Sequence, residues 1–125
     1  MATRFGILGA GGISRRFASV LKECGCAELS AVAARDLDRA EAFAREFGAN
    51  AAYGDYDALL ADPAVEAVYI ASPVFCHKEQ VQAAAAAGKH ILCEKPLAMN
   101  EEQVKKMFAA AKSNHVLLEE AYAYR

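Results

Sequence analysis

Short apolar runs alternate with stretches of helical periodicity from one end of the chain to the other. The runs fall at residues 4–9, 28–34, 51–53, 67–71, 90–94 and 116–122. Several are apolar at successive positions, as strands covered on both faces are. Between them, Ile13, Phe17, Val20 and Leu21 share one helical face, as do Ala40, Phe43, Ala44 and Phe47, and Val104, Met107, Phe108 and Ala111. Strand and helix in turn predict βα units around a parallel sheet, so the expected fold is a Rossmann-type doubly wound α/β domain over residues 1–125.

Local signals place the element ends. Asp36 and Asp55 are expected helix N-caps, and Asn100 followed by Gln103 has the capping-box spacing. Gly48 and Gly88 follow helical patterns where left-handed caps belong. Pro63 and Pro73 mark loops on either side of the run at 67–71, and the alanines from Ala83 to Ala87 suit a tightly packed helix.

Composition narrows the class further. A chain of 125 residues is the size of one domain, and 55% hydrophobic with 24% charged residues describes a folded protein rather than a disordered one. Fourteen Lys and Arg stand against sixteen Asp and Glu, net −2, with no like-charge block longer than a pair such as Arg15-Arg16. That balance argues against a nucleic-acid partner. No apolar stretch nears the ~18 residues of a membrane span and no signal-peptide core follows Met1, so a cytoplasmic protein with no membrane partner is expected. Cys24, Cys26, Cys76 and Cys93 form no C-x-x-C pair and no zinc-ligand spacing with histidine, and they are expected to be free thiols with no metal role.

The first candidate chemistry lies where the first strand meets the first helix. Gly9-Ala10-Gly11-Gly12-Ile13-Ser14 reads G-x-G-x-x-S. Gly9 permits a tight turn, and Gly11 carries no Cβ to block a pyrophosphate approaching the N–H groups of Gly12 and Ile13 at the positive end of the helix. Ser14 is small enough for close packing where Gly or Ala is usual. An ordinary glycine turn, or a methyltransferase loop for another nucleotide, has similar spelling.

The end of the second strand separates these readings. A site for NAD puts Asp or Glu about 20 residues past the glycines to bind the ribose hydroxyls. Here that tip is Ala34, followed by Arg35, whose guanidinium can fork onto a 2′-phosphate, with Arg39 one turn on as a second ligand. Asp36 is needed as a helix cap rather than as the ribose acid. NADP is therefore the expected cofactor and NAD the second choice.

Together with the glycine turn, three segments carry a family resemblance: Ala33-Ala34-Arg35-Asp36, Ile70-Ala71-Ser72-Pro73-x-x-x-His77, and Ala87-Gly88-Lys89-His90-Ile91-Leu92-Cys93-Glu94-Lys95-Pro96-Leu97. The chain resembles the glucose-fructose oxidoreductase/inositol dehydrogenase/rhizopine-catabolism family, most of all its dihydrodiol-dehydrogenase-like members. The Glu-Lys-Pro segment is the most specific part. The resemblance implies that Lys95 is the catalytic lysine, exchanging a proton with the substrate oxygen, before a cis proline. It also implies that Glu94 lies near the nicotinamide ribose, and that Ser72, Pro73 and His77 line the nicotinamide and ribose. A partly desolvated Lys95 just past a parallel strand would suit proton transfer.

The implied activity is hydride transfer between the nicotinamide and a carbonyl or alcohol of a sugar, polyol or dihydrodiol. The resemblance further implies that the small-molecule substrate is held by a C-terminal α+β domain absent from these residues, so the isolated chain is expected to be inactive; a homo-oligomer is left open. A non-catalytic dinucleotide sensor is the competing reading, disfavoured because it needs no acid-base lysine. Binding of S-adenosylmethionine is disfavoured by Arg35 where a ribose acid would stand.

Overall fold

The structure, a computed structural model, describes residues 2–25 and 27–121. Six strands and five α-helices follow one another along it: β1 (Thr3–Leu8), α1 (Gly12–Cys24), β2 (Ala27–Ala33), α2 (Leu37–Phe47), β3 (Ala51–Tyr53), α3 (Tyr56–Leu60), β4 (Ala67–Ile70), α4 (His77–Ala86), β5 (His90–Glu94), α5 (Glu101–Ser113) and β6 (Leu118–Ala121). A single 3-10 turn, Val74–Cys76, leads into α4. All strand pairs are parallel, in the order β3-β2-β1-β4-β5-β6. The reversal between β1 and β4 is the switch point at which such sheets bind ligands.

Successive strand residues supply two cores, because their side chains alternate across the sheet. Ile7, Val32 and Tyr69 meet Phe17, Ala18 and Leu21 of α1 and Ala40, Phe43 and Ala44 of α2. On the other face Leu8, Val68, Ile70, Ile91 and Cys93 meet Leu59 of α3, Val81, Ala84 and Ala85 of α4, and Met107 of α5. Both faces are covered, which explains the unbroken apolar runs.

The caps follow from local sequence. Asp36 Oδ1 accepts from Asp38 N at 2.9 Å, Asp55 Oδ1 from Asp57 N at 3.1 Å, and Asn100 Oδ1 from Gln103 N at 2.9 Å. Gln103 reaches back to Met99 N at 3.1 Å. Gly48 and Gly88 have φ of 79° and 77°, the left-handed conformation expected of them.

Three expectations about packing and strand ends need correction. The buried face of α1 runs through Ser14, Phe17, Ala18 and Leu21, while Val20 is 41% exposed. The small side chains at 14 and 18 let the helix lie close to the sheet, which turns Val20 outward. Phe108 is likewise 46% exposed, since α5 packs through Met107 and Ala111. β6 begins at Leu118 rather than Val116: the exit from α5 consumes the intervening residues, with His115 at φ 58° and Val116 N donating to Ala111 O at 3.0 Å. The expected strand end, Tyr122, lies outside the described residues.

Cys24 is disulfide-bonded, contrary to the free thiol expected. Cys76 and Cys93 are free. Burial pushes the Cys93 thiol up to about 12, and the Glu94 and Glu120 carboxylates push it the same way. Because the thiolate is the nucleophile, alkylation of the native chain near neutral pH is expected to spare Cys93 and to modify half-buried Cys76; mass spectrometry of digests before and after denaturation checks this.

Candidate functional site

The glycine turn sits at the carboxyl edge of the sheet, fastened to the strands on either side of β1. Gly9 N donates to Ala33 O at 2.9 Å, and Ala71 N donates to Leu8 O at 3.0 Å. At φ 109° Gly9 holds a backbone that side chains disfavour, and a Cβ there would stand 3.3 Å from the Ala71 carbonyl. Gly11 is different. Its backbone is extended, it caps α1, and a Cβ added to it meets nothing within 4 Å.

The start of α1 is bare. Its cap makes no side-chain hydrogen bond and its first turn holds no acid. Each of the other four α-helices has an acid in its first turn: Asp38, Asp57, Glu79, and Glu101 with Glu102. Among the described residues, no side-chain cap or first-turn acid competes for the N–H groups and the positive end of the dipole at α1, where an anion could bind. These features fit a dinucleotide pyrophosphate, with Gly11, Gly12 and Ile13 as the residues that would hold it.

An open cavity of about 390 Å³ borders this turn, and another of about 530 Å³ lies past the ends of β2 and β3, each within the range of small-molecule sites. The smaller is lined by Gly11, Gly12, Arg15 and Arg39, and Arg39 donates to the Ala10 carbonyl at 3.3 Å. The larger is lined by exposed Arg35, Gly54, Tyr56, Cys76 and Glu79. The two arginines expected to share one phosphate therefore line separate cavities, with Arg39 alone reaching the glycine turn. Ala34 is buried at the tip of β2, where it offers no ribose acceptor. Asp36 is engaged as the cap of α2.

On the other side of the switch point, Ser72 and Pro73 follow β4. The Ser72 hydroxyl is taken by Gln80 Oε1. His77 is 2% exposed; its Nε2 lies 2.8 Å from Ser72 O, and its Nδ1 lies 3.1 and 3.0 Å from Pro96 O and Leu97 O. Both ring nitrogens face backbone, so His77 joins the loop after β4 to the loop after β5 and presents neither nitrogen to the cleft.

Glu94 ends β5 half-buried, and Lys95 is exposed beyond it, before a cis Lys95-Pro96 peptide. The desolvation expected around Lys95 is not supplied by the described residues. From β6, Glu120 Oε2 accepts from Leu97 N at 3.1 Å, closing the loop on its far side.

Sequence reasoning missed three of these partners. Glu120 and Tyr69, whose phenol donates to Glu94 Oε2, are far along the chain from the residues they hold, and Gln80 lies just past the motif it supports. Only Tyr69 left any sign, as a polar atom in an apolar run.

A family described as an oxidoreductase family with an NAD-binding Rossmann fold matches residues 3–122. The chain belongs to the Gfo/Idh/MocA family. It is 48% identical over 123 residues to trans-1,2-dihydrobenzene-1,2-diol dehydrogenase of Mus musculus, covering 97% of this chain and 37% of that protein. Among solved structures, an NAD-binding oxidoreductase from Klebsiella pneumoniae superposes with a TM-score of 0.93 at 36% identity, covering 97% of this chain and 34% of its own. A 3-ketoreductase from Actinomadura kijaniata in complex with NADP gives 0.91 at 36% identity, covering 96% and 38%. The chain thus spans little more than a third of the length of these Gfo/Idh/MocA relatives. Among the described residues no helix is long and apolar enough to cross a membrane.

Proposed function

We propose that these residues are the cofactor-binding part of an NADP-dependent oxidoreductase that moves a hydride between nicotinamide and a carbonyl or alcohol of a sugar, polyol or dihydrodiol. The observation that carries the reading is the uncapped, acid-free start of α1 opening on a cavity with Arg39, next to a β2 tip that ends in Ala34-Arg35 instead of a ribose-binding acid. A bound nicotinamide dinucleotide supplies the hydride chemistry.

The chain's own residues bind and orient. Gly11, Gly12 and Ile13 would hold the pyrophosphate, beside Arg39 in the same cavity, and Arg35 at the tip of β2 would hold the 2′-phosphate. Ser72 and Pro73 would border the nicotinamide side, where Glu94 would accept from the ribose. Buried His77 would act there through the backbone it joins. Lys95, exposed at the tip of β5, would hold a proton at the substrate oxygen. The substrate itself needs a second wall that the described residues do not form around Lys95. Identity to a dihydrodiol dehydrogenase supports the substrate class, and the NADP-bound ketoreductase supports the choice of cofactor.

Calorimetric titration with NADP and NAD tests the cofactor assignment. NADP is expected to bind more tightly. Arg35→Ala is expected to weaken NADP by about tenfold, the size of a charged hydrogen bond on an exposed site, and to leave NAD within about twofold. Tighter binding of NAD by the unmodified chain would contradict the assignment.

A further inference from the structure

We propose that Tyr69, buried within the sheet and out of reach of any ligand, positions the Glu94 carboxylate for the ribose of the nicotinamide half, an inference that rests on the dinucleotide reading above. A doubly wound sheet binds its ligand as two mononucleotide halves. Strands β1 to β3 belong to the adenosine half, and β4 to β6 to the other. The tip of β4 meets the glycine turn at Ala71, so the next strand outward, β5, places its last residue, Glu94, beside the second nucleoside.

Register brings the pair together. Tyr69 of β4 lies opposite Leu92 of β5, so Glu94, two residues on, shares its face and stands diagonal to it. The phenol donates to Glu94 Oε2. A carboxylate accepts at both oxygens, so this bond occupies part of its capacity and leaves the rest for the two hydroxyls of a ribose.

The phenol is itself held. Tyr69 is 0% exposed, and its ring stacks on Phe17 of α1 with centroids 4.0 Å apart and planes 12° apart. Phe17 in turn meets Phe5 edge-on at 5.4 Å. The donor that reaches Glu94 is thus fixed by side chains from β1 and α1, the same two elements that carry the glycine turn. A half-buried carboxylate in one rotamer binds a diol without the entropy loss of ordering it afterwards. Tyr69 is accordingly a positioning residue. It touches Glu94, and Glu94 touches the ligand.

Tyr69→Phe removes the hydroxyl and keeps the ring, so the stack on Phe17 and the fold are retained. The test is calorimetric titration of the wild-type and variant chains with two probes, NADPH and adenosine 2′,5′-bisphosphate, which lacks the nicotinamide ribose. The variant is expected to bind NADPH about fivefold more weakly and the bisphosphate within about twofold of wild type, since only the first probe reaches Glu94. In a Glu94→Ala background, Tyr69→Phe is expected to cause no further loss. Equal weakening of both probes, unchanged NADPH binding, or an additional loss in the Glu94→Ala background would overturn the inference while leaving the dinucleotide reading in place. A wild-type chain that binds neither probe would overturn that reading and this inference with it.

Discussion

Gly11→Asp is expected to lose dinucleotide binding by about 100-fold or more, because a carboxylate roughly 5 Å from a phosphate at an effective dielectric near 20 is repelled by about 3 kcal/mol. The same substitution is expected to leave the fold intact. A Cβ at Gly11 meets nothing within 4 Å, and the backbone there is extended. Aspartate is also a preferred N-cap and an anion suited to the positive end of a helix, so thermal stability should stay level or rise by about 0.5 kcal/mol. Binding and stability are thus predicted to move independently. Calorimetric titration beside a melting curve checks both, and a variant that binds NADP as well as the wild type would show that the pyrophosphate does not lie over α1.

Two residues away, the outcome reverses. Gly9→Val is expected to destabilise the domain by about 3 kcal/mol, seen as a melting point lower by about 10 °C. Gly9 has φ 109°, and its missing Cβ would press at 3.3 Å on the Ala71 carbonyl, which is fixed by its own place after β4. Backbone contacts cannot rotate away as a flexible side chain can. Scanning calorimetry of the variant beside the wild type decides this, and an unchanged melting point would mean that the turn can rearrange. One glycine is thus predicted to serve the fold and the other the ligand.

How far these features were legible depends on how local their causes are. The caps at Asp36, Asp55 and Asn100 could be read because each side chain bonds a backbone N–H two or three residues on. The central strands could be read because a sheet covered on both faces demands continuous apolar runs, whereas β6, with Glu119 and Glu120 in its four residues, was placed two residues early. The buried face of α1 was misread at Val20, since hydrophobicity alone favours Val over the small Ser14 and Ala18 that decide how closely the helix approaches. Ser14 Oγ is buried with no hydrogen-bond partner among the described residues, a sign that size rather than polarity governs that position.

The site divides along the same line. The glycine turn and the Ala34-Arg35 tip announce themselves within a few residues. The contacts that hold the other half do not. His77 spans 19 and 20 residues to reach Pro96 and Leu97, Glu120 spans 23 to reach Leu97, and Tyr69 spans 25 to reach Glu94. Each of these pairings depends on strand order and register, which no short window of sequence contains. The separate cavities of Arg35 and Arg39 have the same origin: four residues apart on the chain, they are divided by the turn into α2, which Asp36 caps.

Titration of the chain with NADPH, followed by nicotinamide fluorescence and by heat, decides whether these residues form a dinucleotide site. Saturable one-to-one binding is expected, with displacement by NADP and none by S-adenosylmethionine. Absence of saturable binding by a folded chain, or displacement by S-adenosylmethionine as effective as that by NADP, would contradict the dinucleotide reading.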